Sequence, residues 1–306
     1  MKRNTHIYIA HKAIEFMTDS VDNLITRSGK ASKADDKPVR EKAKTLQRLM
    51  LTHRDTIIEA SWAPDDIIND RLRYHTFKLF KDGIFDPDQA QAYATQTFEG
   101  VYHRGSGGGG APFKIDHLAA IIADFRKLRA YNDNFTVREL QYLYVLVSHY
   151  IADAHVPLHC DLRDDPPSAK DRKKPGPRDL YFKSSLHDKV ETMWEEAVTP
   201  VAVAAGIVDV TSHECCDPPD ALSEAIVFDL RNGDHRKLIR PVRLGSSEIM
   251  DFMIERCIAS YERSLAIWPP EPGADRYTTA QLSPQMTRDI FADAISCVIS
   301  IWLAID

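Results

Sequence analysis

One stretch of the chain is punctuated at both ends. Thr136-Val137-Arg138-Glu139 has capping-box spacing, a hydroxyl followed three residues later by a carboxylate, and so opens a helix. Pro157 has no amide proton and its ring disfavours a helical residue before it, so that helix ends near Ala154. The segment between, "LQYLYVLVSHYIADA", therefore has fixed limits, and His149 and Asp153 near its end lie four residues apart on one helix face.

Helical periodicity runs through nearly the whole chain. A first helix is expected over about Thr5 to Ile25 and a second over about Arg40 to Ala60, separated by the polar linker "RSGKASKADDKPVREK". "SWAPDDIINDRLRYH", with Pro64 and paired aspartates, reads as a loop or a helix start. Further helices are expected over about 115–130, from Ser184 or Ser185 onward, over about Ser246 to Ile267, and over about Pro284 to Ala304 with Ser283 as N-cap. Strand pairs and internal repeats are missing. The fold class is all-α: a single multi-helix domain, 1–306, with long loops.

Two loops stand out. "GSGGGGAP", 105–112, has no Lys-Ser or Lys-Thr after its glycines, so it is a lid or spacer and not a phosphate-cradling loop. "DLRDDPPSAKDRKKPGPRDL" carries Arg163, Lys170, Arg172, Lys173, Lys174 and Arg178. Asp161, Asp164, Asp165, Asp171 and Asp179 almost cancel that charge, and the expected state is a solvated loop.

Bulk properties bound the function. The formal net charge of -6 excludes a general polyanion binder, and 43% hydrophobic residues suffice for a real core. The opening "MKRNTHIYIAHKAIEFM" is broken by His6, His11, Lys12 and Glu15, which argues against an export signal. No segment reaches the roughly 18 apolar residues of a membrane span. "IFADAISCVISIWLAID" comes nearest, but Asp293 interrupts it, and it reads as a buried core helix. An odd set of irregularly spaced cysteines (Cys160, Cys215, Cys216, Cys257, Cys297) points to reduced thiols and a cytoplasmic location.

Imidazole and carboxylate are the ligands zinc takes at catalytic centres. His187 and Glu191 repeat the i, i+4 spacing of His149 and Asp153, as do His11/Glu15 and His213/Asp217. Chance alone supplies roughly two such pairs in a chain of this composition, so spacing by itself is weak evidence. "SHECCD", with His213, Cys215 and Cys216, would need ligands from elsewhere to hold a metal, and an ordinary loop is the simpler reading.

"HYIADAHVPLH", 149–159, carries more than spacing. It resembles the core motif of the zinc-dependent phospholipase C and fungal single-strand nuclease superfamily: His, aromatic, aliphatic, small, Asp, any, His or Asn, any, Pro, Leu or Met, His. "NTHIYIAHKAIEFM" is similar to the family's first helix, "SWAPDD" followed by "YH" to its Trp-Ala-Asp segment and downstream His, and "SLHDKVETMW" to its last ligand helix. The resemblance covers about 4–194, and helices within 220–306 would complete the core.

The resemblance implies an all-α zinc hydrolase holding up to three zinc ions. Asp65, His75, His149 and Asp153 would hold one, and His159, His187 and Glu191 a second. His6 and Asp153 would hold a third, with Asp153 as a bridge. Asp66 is the fallback for Asp65. In secreted members an N-terminal tryptophan binds the third zinc. This sequence has Met1-Lys2-Arg3 there, so either Met1 or water would substitute. His155 is expected either to hydrogen-bond a ligand carboxylate or to be a buried structural histidine.

Chemically, the resemblance implies a zinc-activated water attacking phosphorus, with Asp65 both ligand and proton acceptor. The substrate is a phosphodiester, either a phospholipid head group or single-stranded nucleic acid. His155 and Trp62-Ala63 lean towards the nucleases, Glu191 and the first helix towards the lipases. A zinc-stabilised binding protein without turnover is the third reading. No protein partner is indicated.

Overall fold

The computed structural model describes residues 1–27, 36–70, 74–79, 110–129, 137–164, 181–183, 185–204, 221–232, 248–270 and 276–305. The glycines at 105–109, the loop residues 165–180, Thr136, and His213 with Cys215 and Cys216 lie outside these. The described residues are helical and form no strand ladder; one parallel bridge pairs Leu79 with Asp161.

The helices are α1 (Arg3–Arg27), α2 (Asp36–Leu51), α3 (Arg54–Ala63), α4 (Ala111–Arg129) and α5 (Val137–Ala154). They continue as α6 (Pro157–Cys160), α7 (Ser185–Ala204), α8 (Ala221–Asn232), α9 (Glu248–Ile267) and α10 (Pro284–Ile305). Helix α5 is central, packed against α3 and α4 and also touching α1, α9 and α10. From Tyr144 to Ala154 every residue is buried, as expected of a helix surrounded by others. Helix α10 is its apolar counterpart. The Trp302 indole N–H donates to the Tyr144 carbonyl at 2.7 Å in a fully buried contact, so Trp302→Ala would remove both that bond and a large packed ring, costing roughly 3–5 kcal/mol.

Three expectations need correction. The second helix does not run unbroken to Ala60: it stops at Leu51 and α3 begins at Arg54. Gln141 of α5 stitches that break, donating to the carbonyls of Met50 (2.6 Å) and His53 (2.7 Å) and accepting the His53 amide at 3.2 Å. Side-chain bonding from another helix thus satisfies backbone groups that a continuous helix would have paired.

"SWAPDD" is not a loop either. Helix α3 passes directly into a π-helical turn, Pro64–Ile68, closed by Asn69 at φ 53°, whose amide donates to the Pro64 carbonyl at 2.8 Å. Asparagine tolerates this left-handed conformation better than most residues. Finally, Asp161, Arg163 and Asp164 are not solvated. The first two are fully buried, and the Asp164 side chain keeps 8% of its exposure.

Elsewhere the sequence signals hold. Helix α5 ends at Ala154, and Pro157 takes the first position of α6. The Ser283 hydroxyl accepts the Met286 amide at 3.2 Å, capping α10 ahead of Pro284. No described helix is long and apolar enough to cross a membrane.

Candidate metal centre

Asp153, on the last turn of α5, is 1% exposed and lies where several segments converge. Its Oδ2 is 2.7 Å from His75 Nδ1 and 3.3 Å from His149 Nε2. Its Oδ1 is 2.8 Å from the Met1 amine, 3.4 Å from His6 Nε2 and 3.5 Å from His159 Nδ1. Helix α5 supplies His149 and Asp153 from one face, α1 supplies His6, α6 His159, and α7 His187 and Glu191. Asp65 comes from the π turn and His75 from the segment after it.

Three groups of metal-capable atoms result: His6, His149 and Asp153; Asp65, His75 and His149; His159, His187 and Glu191. In each, the potential ligand atoms lie within 4.8 Å of one another. All eight residues expected as ligands fall in these groups, but the member common to two of them is His149, where Asp153 was the expected bridge. Asp66 falls in none: it is exposed and lines a neighbouring cavity with Arg3, Asp55, Glu59 and Trp62. His149 belongs to two groups, with its ring stacked on His6 at 3.7 Å between centroids. Met1 lies against the His6/Asp153 group. Its amine also reaches Glu191 at 2.7 Å, and its carbonyl accepts from His6 Nε2 at 3.1 Å.

Charge is tightly matched here. Burial disfavours the Asp153 carboxylate, but the Met1 amine and the surrounding imidazoles outweigh it and hold the group well below the usual range. Glu191 is likewise held low against burial, by the same amine and by His159 and His187. Burial opposes protonation of His75 and of His187, yet hydrogen bonds to Asp153 and Asp70, and to Asp164 and Glu191, raise each to about 9. His6 and His159 are pushed the other way, chiefly by burial, His159 to about 4. Burial raises Asp65, partly offset by His149. Ionised carboxylates and neutral imidazoles are the forms that ligate a cation.

The donor set fits a divalent ion. Atoms about 2.0 Å from a common tetrahedral ion lie roughly 3.3 Å apart. His159 Nε2 stands 3.0 Å from His187 Nε2 and 3.4 Å from Glu191 Oε1, and His149 Nε2 stands 3.1 Å from His75 Nδ1. The nitrogens turned to these groups are His159 Nε2 and, 3.4 Å from Asp153 Oδ1, His6 Nε2; the opposite Nδ1 atoms are buried without a hydrogen-bond partner among the described residues. Cys160 adds no thiolate, since its Sγ donates to the Ala154 carbonyl. A cleft of about 580 Å³ is lined by Asp65, His75, Asp153, His159, His187 and Glu191, together with Met1, Lys2, Arg3, Trp62 and Thr76; His6 and His149 lie behind it.

His155 forms no hydrogen bond to a ligand carboxylate. Its Nδ1 donates to the Ile151 carbonyl of its own helix at 2.8 Å, Nε2 has no hydrogen-bond partner, and burial drives its pKa down to about 3. It is a neutral structural histidine. Conversely, Asp70, Asp164 and Lys78 have side chains that bond the candidate ligand histidines or one another behind the centre. No spacing rule singles them out.

No family model, curated protein or solved structure matches this chain.

Proposed function

We propose that the protein is a zinc-dependent phosphodiester hydrolase of the phospholipase C type. The observation that carries the reading is the gathering of three His/carboxylate groups beside one open cleft: two share His149, and the third adjoins them where His159 Nδ1 lies 3.5 Å from Asp153 Oδ1. Isolated His-acid pairs are common, whereas adjoining groups at these distances suit ions held side by side, the arrangement that phosphoryl transfer exploits. The motif resemblance of 149–159 and of the three other ligand segments points the same way.

Zinc bound there would supply charge neutralisation at the phosphoryl oxygens and a water acidic enough to lose a proton near neutral pH. The chain's own residues supply the rest. Asp65, on the cleft wall, is the carboxylate placed to take that proton. Glu191, His187 and His159 form the opposite side, so a phosphate entering the cleft would meet the π turn on one side and α6 and α7 on the other. The buried Asp153 lies beneath, holding both sides in register.

A lipid substrate is the reading we favour: Ile67 and Ile68, on the turn that carries Asp65, are 65% and 44% exposed and could touch a lipid aggregate, although Ile67 lines the neighbouring cavity and not the metal-bearing cleft.

The test is a paired assay on protein whose metal content has been measured. Zinc near three per chain with hydrolysis of phosphatidylcholine vesicles supports the reading. Hydrolysis of single-stranded DNA instead would make the same centre a nuclease. Full zinc loading with neither activity would make the protein a zinc-stabilised binding module, and zinc near zero would sink the reading altogether.

A further inference from the structure

Three of the ligand imidazoles share one feature: a single nitrogen faces the other ligands, and the opposite nitrogen is held by a fixed oxygen. His149 Nδ1 donates to the Ser61 carbonyl at 2.7 Å, leaving Nε2 towards the cluster. His75 Nε2 donates to Asp70 Oδ1 at 2.9 Å, while Nδ1 faces Asp153 Oδ2, His149 Nε2 and, at 3.7 Å, Asp65 Oδ1. His187 is turned the other way round: Nδ1 donates to Asp164 Oδ2 at 2.8 Å, while Nε2 faces His159 Nε2 and Glu191 Oε1, each at 3.0 Å.

The two aspartates are themselves anchored, and in parallel fashion. Asp70 Oδ2 accepts the Tyr150 hydroxyl at 2.9 Å and lies 3.5 Å from Lys114 Nζ. Asp164 Oδ2 accepts from Lys78 Nζ at 3.1 Å, and the same ammonium donates to the Leu158 carbonyl at 2.6 Å, one residue before His159. Each row therefore runs lysine, aspartate, histidine, ligand group. One row ends at the Asp65/His75/His149 group and the other at the His159/His187/Glu191 group.

We propose that Asp70 and Asp164 are positioning residues of the metal centre, which make His75 bind its ion through Nδ1 and His187 through Nε2. The inference rests on the metal-centre reading above but not on phosphodiester hydrolysis. A neutral imidazole has one N–H. When a carboxylate accepts it, the tautomer and ring plane are fixed and the remaining lone pair is aimed and made more basic. Tyr150 follows His149 on α5, so Asp70 also ties the orientation of His75 to the helix that bears two other ligands.

The first measurement needs no variant. Long-range proton–nitrogen NMR of the zinc-loaded protein, labelled at histidine nitrogen, should show zinc on Nδ1 and a proton on Nε2 of His75, with the reverse at His187. The second uses Asp70→Ala and Asp164→Ala in zinc titrations against a competing chelator. Each should weaken one ion about 10- to 100-fold while leaving the others unchanged. Asp70→Asn and Asp164→Asn keep an oxygen acceptor, so they should preserve the nitrogen assignments and lose less affinity. Reversed nitrogens in zinc-loaded protein, or alanine variants with all affinities intact, would overturn the positioning role alone. A wild-type protein that takes up no zinc would overturn the centre and this role together.

Discussion

Asp161→Ala is expected to be among the most damaging substitutions outside the ligands. Arg163 is fully buried, and three of its N–H contacts end on Asp161: Nε at 3.1 and 3.0 Å to the two oxygens, and a terminal nitrogen at 2.6 Å to Oδ2. The other terminal nitrogen donates to the Trp268 carbonyl at 2.6 Å, and the guanidinium lies 4.6 Å from the Phe182 ring centroid. Removing the carboxylate deprives the buried cation of those three contacts, and strands the Ser264 hydroxyl that donates to Asp161 Oδ2 at 2.6 Å. Breaking one side of a buried pair costs about 3–5 kcal/mol. In a chain of this size that lowers the melting temperature by roughly 10 °C. Asp161→Leu combined with Arg163→Met removes both charges and should recover much of the loss. Urea or thermal melts of wild type, Asp161→Ala and the double variant, all with chelator present, measure the three values. A single variant within about 1 kcal/mol of wild type, or a double variant worse than the single, would refute the buried-pair reasoning.

Three further outcomes follow from the same geometry. His149→Ala should lower zinc content by more than one ion per chain, because His149 belongs to two groups, whereas Glu191→Ala should lose one; metal analysis after dialysis reads both, and both should abolish hydrolysis. Chelated protein should lose stability as pH falls from about 6.5 towards 3. Burial holds His155 down to about 3 and His11 to about 4, so the unfolded chain takes up protons that the folded chain refuses. That contribution is fully present above the unfolded-state value, is on the order of a few kcal/mol, and His155→Gln melts across pH should flatten the slope. Gln141→Ala should cost about 1–3 kcal/mol by freeing the Met50 and His53 carbonyls, with zinc stoichiometry unchanged at saturating metal.

The helices were readable because capping and periodicity are short-range rules: Pro157 and Ser283 act within a turn or two of themselves and stand where those rules require. The candidate ligands were not legible from spacing, which offers four i, i+4 pairs; the resemblance of four segments proposed them, and His149/Asp153 and His187/Glu191 lie within reach of one another. The choice of Asp65 over Asp66 came from the neighbouring Trp62-Ala63-Pro64, and the π turn is what points Asp65 inward. What could not be read depends on segments meeting. Asp164 looks like one charge among many until Lys78, 86 residues earlier, closes on it. His155 shares the motif with the candidate ligands, but its ring turns back onto its own helix, a matter of side-chain rotamer that no residue pattern encodes. The break at Thr52 and His53 likewise exists because Gln141, 88 residues later than His53, compensates for it.

A last consequence lies in the backbone between the two aspartate-backed rows. The Phe77 amide donates to the His159 carbonyl at 3.1 Å, Leu79 to Cys160 at 2.9 Å, and Leu162 back to Leu79 at 3.3 Å. These bonds join the strip that follows His75 to the strip that begins at His159. The spacing between the two halves is thus gauged by peptide units, not by adjustable side chains. Ions held on either side would keep a separation set by this backbone pairing and not by side-chain rotation.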